Sequence, residues 1–344
     1  MRILAYVIFL LTAGALLARI SETLHPRLLT MPEVVEGQAA IVNRTVGQLG
    51  GKPDEMLNWR NRILVPYAIA IVSKTAGIKQ SQAYLLVRWA SGSFALACFA
   101  LLVTRATGTS YWIGSAAALL HEITLLPTFF HIYEIPSDFT DSAIFSLLIL
   151  AALRGRRYAF TLLIFIGALN RESAVFGVVV WWFLHALGQR DRKNFFKESA
   201  WCFGWGLACA VFVFLVRAAN SPIGGHARSS VLENFAYPRH FTEQNLHEVW
   251  MFISHPNYSN SYFYLAAYVL VMALLLCNEW PLVPSWARRL TIAAALIFLI
   301  SSPTNHIAEL RMYIPSLVLC NLVIVTVAIS KLNLVNRRAV SSGD

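Results

Sequence analysis

The apolar stretch from Tyr158 to Leu187 is interrupted near its middle by four polar residues, Asn170-Arg171-Glu172-Ser173, which we call the tetrad. A single helix over residues 158–186 would be about 43 Å long, whereas the hydrocarbon core of a bilayer is about 30 Å thick. A charged side chain at the centre of a membrane-spanning helix also costs about 2.5–3.5 kcal/mol on insertion scales. The stretch therefore predicts two short helices that meet at the tetrad.

The composition of the whole chain indicates a membrane protein. The 344 residues are 57% hydrophobic and only 13% charged, with a mean hydropathy of +0.57, whereas soluble domains carry about 25% charged residues. We therefore predict an all-α fold, a polytopic transmembrane helical bundle that forms a single integral membrane domain over residues 1–344. The predicted spans, about ten in all, are 3–20, 81–103, 110–128, 137–153, 157–169, 172–187, 198–217, 262–279, 288–303 and 311–330.

Basic residues cluster in short segments between the predicted spans, which is typical of cytoplasmic loops. With about ten spans and both termini cytoplasmic, including a C-terminal tail over about 331–344, all these clusters share one side. They are Arg154/Arg156/Arg157, Arg190/Arg192/Lys193/Lys197, Arg288/Arg289 and Lys331/Arg337/Arg338. This distribution explains the net charge of +10, and no basic arm with interleaved aromatic residues points to nucleic acid.

The same topology leaves two long external loops, at about residues 21–80 and 218–261. The apolar segment 62–78 in the first loop would reverse every later loop if it were a full span, so we predict a juxtamembrane half-helix there. Residues 158–187 must likewise form a hairpin. Because each arm has about 12–16 apolar residues and crossing needs about 20, the tetrad is expected below the outer rim, in a water-accessible cavity.

Acidic residues and arginines gather near the predicted outer ends of several spans, which suggests one cleft. Asp138 and Asp141 lie one helical turn apart on one face, and Glu309 and Arg311 precede the last span. Arginine binds phosphate in a bidentate manner, and a carboxylate can act as a general base. The structural alternatives are that Ser137 or Asp138 caps a helix and that the tetrad forms a charge pair between helices.

Neither a metal centre nor a cofactor is indicated by motif. The five cysteines lie in apolar runs without metal-ligand spacing. His240 and His247 are not part of an H-E-x-x-H motif, and the chain contains no Asp-x-Asp pair. A divalent cation held by carboxylates and a substrate phosphate is left open.

Three segments, in their order along the chain, resemble the C-type superfamily of integral-membrane glycosyltransferases that use polyprenyl-phosphate sugars. The first ends the long external loop and is similar to an R-x-L-x-P juxtamembrane pattern. The second is the tetrad at a hairpin tip, and the third is similar to the E-x-R-Y-x-x-P region before the last helix. They read Trp59-Arg60-Asn61-Arg62-Ile63-Leu64-Val65-Pro66, Leu169-Asn170-Arg171-Glu172-Ser173 and Glu309-Leu310-Arg311-Met312-Tyr313-Ile314-Pro315.

The resemblance implies a lipid-linked sugar donor, an acceptor on the non-cytoplasmic face and a catalytic carboxylate in the first external loop. Where members of the superfamily carry an early Asp, this loop offers Glu36, Glu33 or, later, Asp54, and the choice among the three is open. Other residues would bind the substrates. The arginines Arg171 and Arg311, with Arg60 or Arg62, are expected on the lipid phosphate, and Asp138, Asp141 or Glu172 on sugar hydroxyl groups or on an arginine. Asn170 and Glu309 are also expected among the substrate-binding residues.

Two other functions are compatible with the same sequence. One is a polysaccharide polymerase or ligase of the cell envelope, and the other is a non-enzymatic transporter or flippase of lipid-linked or anionic solutes. Paired halves, which are typical of transporters, are not evident in the chain. In each case we expect a multi-pass protein of the plasma membrane, in a bacterium the inner membrane, whose partners are membrane lipids and a lipid-linked substrate.

Overall fold

The computed structural model describes mainly residues 2–24, 63–125, 135–219, 277–301 and 313–341, with isolated helical residues at 39, 42, 246, 247, 250, 254, 270 and 274. Every regular element in these ranges is helical, so the predicted all-α fold is confirmed for them. The external loops predicted over 21–80 and 218–261 lie mostly outside these ranges.

Ten helical elements follow one another along the described ranges. They are α1 (Arg2–Leu24), α2 (Leu64–Ala76), α3 (Gln80–Thr107), α4 (Tyr111–Leu125), α5 (Ile135–Leu153), α6 (Arg157–Asn170), α7 (Glu172–Ala186), α8 (Arg192–Ala219), α9 (Ser285–Ser301) and α10 (Ile314–Ser341). A single 3-10 turn, Trp280–Leu282, precedes α9.

Four of these helices are long and apolar enough to cross a membrane, namely Gln80–Thr107, Pro136–Leu153, Arg192–Val216 and Ile314–Asn333. Each predicted span except 262–279 coincides with a helix, and that span lies mostly outside the described residues. The C-terminal segment differs from expectation, because α10 continues to Ser341 rather than giving way to a tail near residue 331. The predicted boundary followed charge, which limits the depth of a helix in a bilayer but does not end it.

Helix α3 lies at the centre of the bundle and contacts α1, α2, α4, α5 and α10. Its contact with α1 is close because Gly14 has no side chain. A Cβ atom at Gly14 would lie 2.5 Å from the backbone nitrogen of Ser93, which no side chain on α1 can accommodate. The half-helix predicted near 62–78 is present as α2, ends at Gly77 with a φ of 63°, and buries Val65 and Ile69 against the start of α3.

The hairpin predicted over 158–187 is confirmed as α6 and α7. Helix α7 changes its winding twice, from 3-10 (Glu172–Phe176) through α (Gly177–Trp181) to π (Trp182–Ala186). The arms meet tightly at the tip, because a Cβ atom on Gly167 would lie 2.6 Å from the Cβ atom of Ala174.

Contacts between helix ends define what we call the basic end of the bundle. Arg157 at the start of α6 forms an ion pair with Glu198 near the start of α8. His185 lies 2.7 Å from the carbonyl oxygen of Ala152, and Arg289 donates to the carbonyl oxygen of Leu184 at 3.0 Å. Three of the four predicted basic clusters therefore meet at one end, and the tetrad lies at the opposite end, the tetrad end. The fourth cluster begins at Lys331, which pairs with Glu279 shortly before α9.

Candidate functional site: the buried polar cluster at the hairpin tip

The tetrad lies against the first turns of α5. Helix α6 ends at Asn170, and the extended backbone of Arg171 (φ −159°, ψ 143°) turns the chain into α7. The side-chain amide of Asn170 donates to the carbonyl oxygen of Ser137 at 2.8 Å. The guanidinium of Arg171 donates from Nη2 to Oδ1 of Asp138, which forms an ion pair between the hairpin tip and α5.

Asp141 binds the last residue of the tetrad. The hydroxyl group of Ser173 lies 3.1 Å and 3.0 Å from the two carboxylate oxygens of Asp141 and donates its hydrogen to them. Asp138, Asp141 and Glu172 all interact favourably with the positive charge of Arg171. One guanidinium thus faces three carboxylates, and the described part of the cluster is net acidic when all four groups are ionised.

The cluster is packed inside protein. The side chains of Arg171 and Asp138 are 2% and 0% exposed, and Asn170 and Asp141 are equally buried, while Glu172 is half-buried. The expected water-accessible cavity is therefore wrong for these side chains. They bind polar groups of the neighbouring helix, as buried polar groups generally do, although Oδ1 of Asn170 has no hydrogen-bond partner among the described residues.

The capping role considered for Ser137 or Asp138 is also wrong. Helix α5 begins at Ile135, so both residues lie inside its first turn. Asp138 is used for the ion pair instead. The structural alternative, a charge pair between helices, is what the structure shows for Arg171, whose guanidinium pairs with Asp138 of α5.

Two further segments approach the tip. The backbone N–H of Ile63 donates to the carbonyl oxygen of Leu169 at 3.0 Å, which brings the end of the first predicted external loop beside the tetrad. Helix α10 contacts residues 172–176. The remaining predicted site residues lie outside the described part of the chain, and they are Glu33, Glu36, Asp54, Arg60, Arg62, Glu309 and Arg311.

Sequence reasoning missed a second buried cluster, on α4. His121 and Glu122 are 1% and 0% exposed and contact Ser142 of α5 and Asn321 of α10. The signal was present, because an adjacent His and Glu inside an apolar run are as costly as the tetrad. Arg88 of α3, which is buried beside Tyr84, is a further charged residue inside an apolar run that was not predicted.

Within the described ranges, no group of three or more His, Cys, Asp or Glu side chains is arranged to hold a metal ion. Comparison with known proteins adds no relative, because no family model, curated protein or solved structure matches the chain.

Proposed function

We propose that the chain is a membrane glycosyltransferase that moves a sugar from a polyprenyl-phosphate donor to an acceptor on the non-cytoplasmic face. The observation that carries the proposal is the convergence of the hairpin tip, the acidic start of α5 and the end of the first long loop at one end of the bundle. The opposite end collects the basic residues. Because basic loops favour the cytoplasm, the tetrad end is assigned to the outer face.

In this proposal Arg171 is a positioning residue. Its guanidinium is bound to Asp138, so it holds the hairpin tip against α5 and thereby positions the residues of both segments. The described cluster is buried and its guanidinium is bound to Asp138, so it does not bind the phosphate in this proposal. The lipid phosphate is therefore assigned to Arg60, Arg62 and Arg311, whose charges stabilise the leaving group as its negative charge develops.

The acceptor hydroxyl group loses its proton to one carboxylate of the first external loop, Glu36, Glu33 or Asp54. This assignment rests on the resemblance, and the bond between Ile63 and Leu169 supports it by bringing the end of that loop to the tip. A carboxylate performs this step when it lies within hydrogen-bond reach of the acceptor hydroxyl group.

The test compares two buried or half-buried arginines in membranes that contain the full chain. Arg171→Lys keeps the charge but loses the planar guanidinium, and we expect transfer from a polyprenyl-phosphate sugar to fall about 100-fold, since small displacements at a reacting centre cost that much. Arg157→Lys at the basic end is the matched control, because it alters an ion pair of the same type. It should keep full transfer.

Equal transfer by both variants would contradict the proposed site. Glu36→Gln, Glu33→Gln and Asp54→Asn identify the base, since one of them should abolish turnover while donor binding persists. Product analysis separates the alternatives. Products extended by many units indicate a polymerase or ligase, and a lipid-linked sugar that changes leaflet without being consumed indicates a transporter.

A further inference from the structure

A buried hydrogen-bonded cluster joins α4, α5 and α10 one helical turn below Asp138. Glu122 and His121 of α4 meet Ser142 of α5 and Asn321 of α10, and the ring of His121 stacks on Phe99 of α3 with ring centroids 4.0 Å apart. The side chains of His121 and Glu122 are both 0% exposed. The positions of the hydrogen atoms in this cluster follow from its geometry.

Thr124 fixes the orientation of the Asn321 amide. The hydroxyl group of Thr124 lies 2.6 Å from the carbonyl oxygen of His121 and gives its single hydrogen to it. It must therefore accept the bond from Asn321, 2.9 Å away, so the amide nitrogen faces it. The same nitrogen lies 2.8 Å from Nδ1 of His121, which makes Nδ1 an acceptor without a hydrogen.

His121 is consequently a neutral imidazole with its hydrogen on Nε2. That hydrogen is donated to the hydroxyl oxygen of Ser142 at 3.1 Å, and Ser142 in turn donates to Oε1 of Glu122 at 3.0 Å. A second hydrogen on Nδ1 would point at the amide hydrogens of Asn321. The structure therefore excludes His121 as a positively charged partner for Glu122 while these contacts persist.

No other cation compensates Glu122 among the residues that the structure describes. The titratable groups that face it are His121 on its own helix and the thiol of Cys98 on α3, and neither carries positive charge. Its Oε2 atom is buried and has no hydrogen-bond partner in this part of the chain. An ionised carboxylate in such a place would carry a large desolvation cost.

We propose that Glu122 is a proton-binding site inside the bundle, a carboxyl group that keeps its proton on Oε2 in the folded protein at neutral pH. The ligand is a single proton. The site is a chain of hydrogen bonds in which Asn321 donates to His121, His121 donates to Ser142, and Ser142 donates to Glu122. The proposal does not depend on glycosyl transfer, because it rests on contacts of His121, Ser142, Glu122 and Asn321 and on none of the tetrad.

Infrared spectroscopy of the purified full chain in detergent micelles tests this directly. The carbonyl stretch of a protonated carboxyl group is separate from the bands of ionised carboxylates, and it is observed whether or not solvent reaches the group. At pH 7 we expect this band in the native protein and its loss in Glu122→Gln. Absence of the band at pH 7, or a band that persists unchanged in Glu122→Gln, would overturn the proposal.

Ser142→Ala provides a second variant if Glu122→Gln does not fold. It removes the donor to Oε1, so the carbonyl band should move to higher frequency, and an unmoved band would show that the protonated group is not Glu122. Stability gives an independent measure. The unfolded carboxyl group releases its proton above about pH 4.3, whereas the folded protein retains it, so the native protein should lose stability relative to Glu122→Gln as the pH rises. Parallel pH profiles would contradict the proposal.

Discussion

Replacing Arg171 with methionine should destabilise the protein more than any other single change at the hairpin tip. The substitution keeps most of the side-chain volume but removes the guanidinium that the buried carboxylates Asp138 and Asp141 face. Removing one partner of a buried ion pair costs about 3–5 kcal/mol. Asp138→Asn should cost less, about 1.5–3 kcal/mol for a lost charged hydrogen bond, because Arg171 still has Asp141 and Glu172 nearby.

The double variant Asp138→Asn/Arg171→Met removes the ion pair entirely. Its cost should fall short of the sum of the two single changes by about 1–3 kcal/mol, the usual coupling between groups in direct contact. The assay is reversible unfolding in mixed micelles, followed by circular dichroism. Lowering the pH should partly restore Arg171→Met, since protonation neutralises Asp138 and Asp141.

The ion pair of Arg157 and Glu198 serves as the control for these stability measurements. The Arg157 side chain is 42% exposed and that of Glu198 is 12% exposed, so solvent screens this pair more than the fully buried one and it should contribute less. Equal destabilisation by Arg157→Met and Arg171→Met would refute a strong buried ion pair at the hairpin tip. Additive costs of the Asp138 and Arg171 changes would refute it as well, because they would mean that the two side chains do not stabilise each other.

Two further predictions address the hairpin and its orientation. Gly167→Ala should lower the free energy of unfolding by about 1–3 kcal/mol, because its Cβ atom would lie 2.6 Å from the Cβ atom of Ala174. Gly204→Ala on α8 is the control and should be neutral or stabilising, because nothing lies within 4 Å of its Cβ position. Equal effects of the two changes would contradict the close approach at the hairpin tip. In a background without the five cysteines, Lys74→Cys should react with an impermeant maleimide on intact cells and Tyr158→Cys, at the exposed start of α6, only after permeabilisation. The reverse pattern would refute the proposed orientation.

The hairpin could be predicted from sequence because two simple constraints agree on it. A continuous helix would be too long for a bilayer, and it would separate the basic clusters around Arg154 and Arg190. Both constraints depend only on length and charge along the chain. The same reasoning located α2, whose apolar residues are too few and wrongly placed for a full span.

The partners of the tetrad could not be predicted in the same way. Asp138 was expected near Arg171, but whether it would bind a substrate or the arginine depends on how α5 is rotated against the hairpin tip. The contact with Asp138 needs the extended backbone at Arg171 and the close approach at Gly167. Neither is a property of local sequence, and both arise only when the helices pack.

The cluster on α4 could not be predicted from the composition of its span. His121 and Glu122 lie within an otherwise apolar span, and two polar residues lower its average too little to exclude a helix. Asn321, their partner, is 200 residues away in sequence. An adjacent pair of ionisable residues in one span and an amide in another are weak signals individually, and only the packed bundle shows that they belong together.

The changes of winding along α7 have a consequence for how the hairpin tolerates changes in length. The 3-10 turn rotates the chain about 120° per residue instead of about 100°, so residues 172–176 advance the helix by about 100° relative to regular winding. The π turn at Trp182–Ala186 rotates less per residue and offsets part of that advance. A deletion within 182–186 would convert the wide turn to regular helix and leave Gly177–Trp181 on α5. A deletion within 177–181 would instead swing the arm about a quarter turn away from its neighbour.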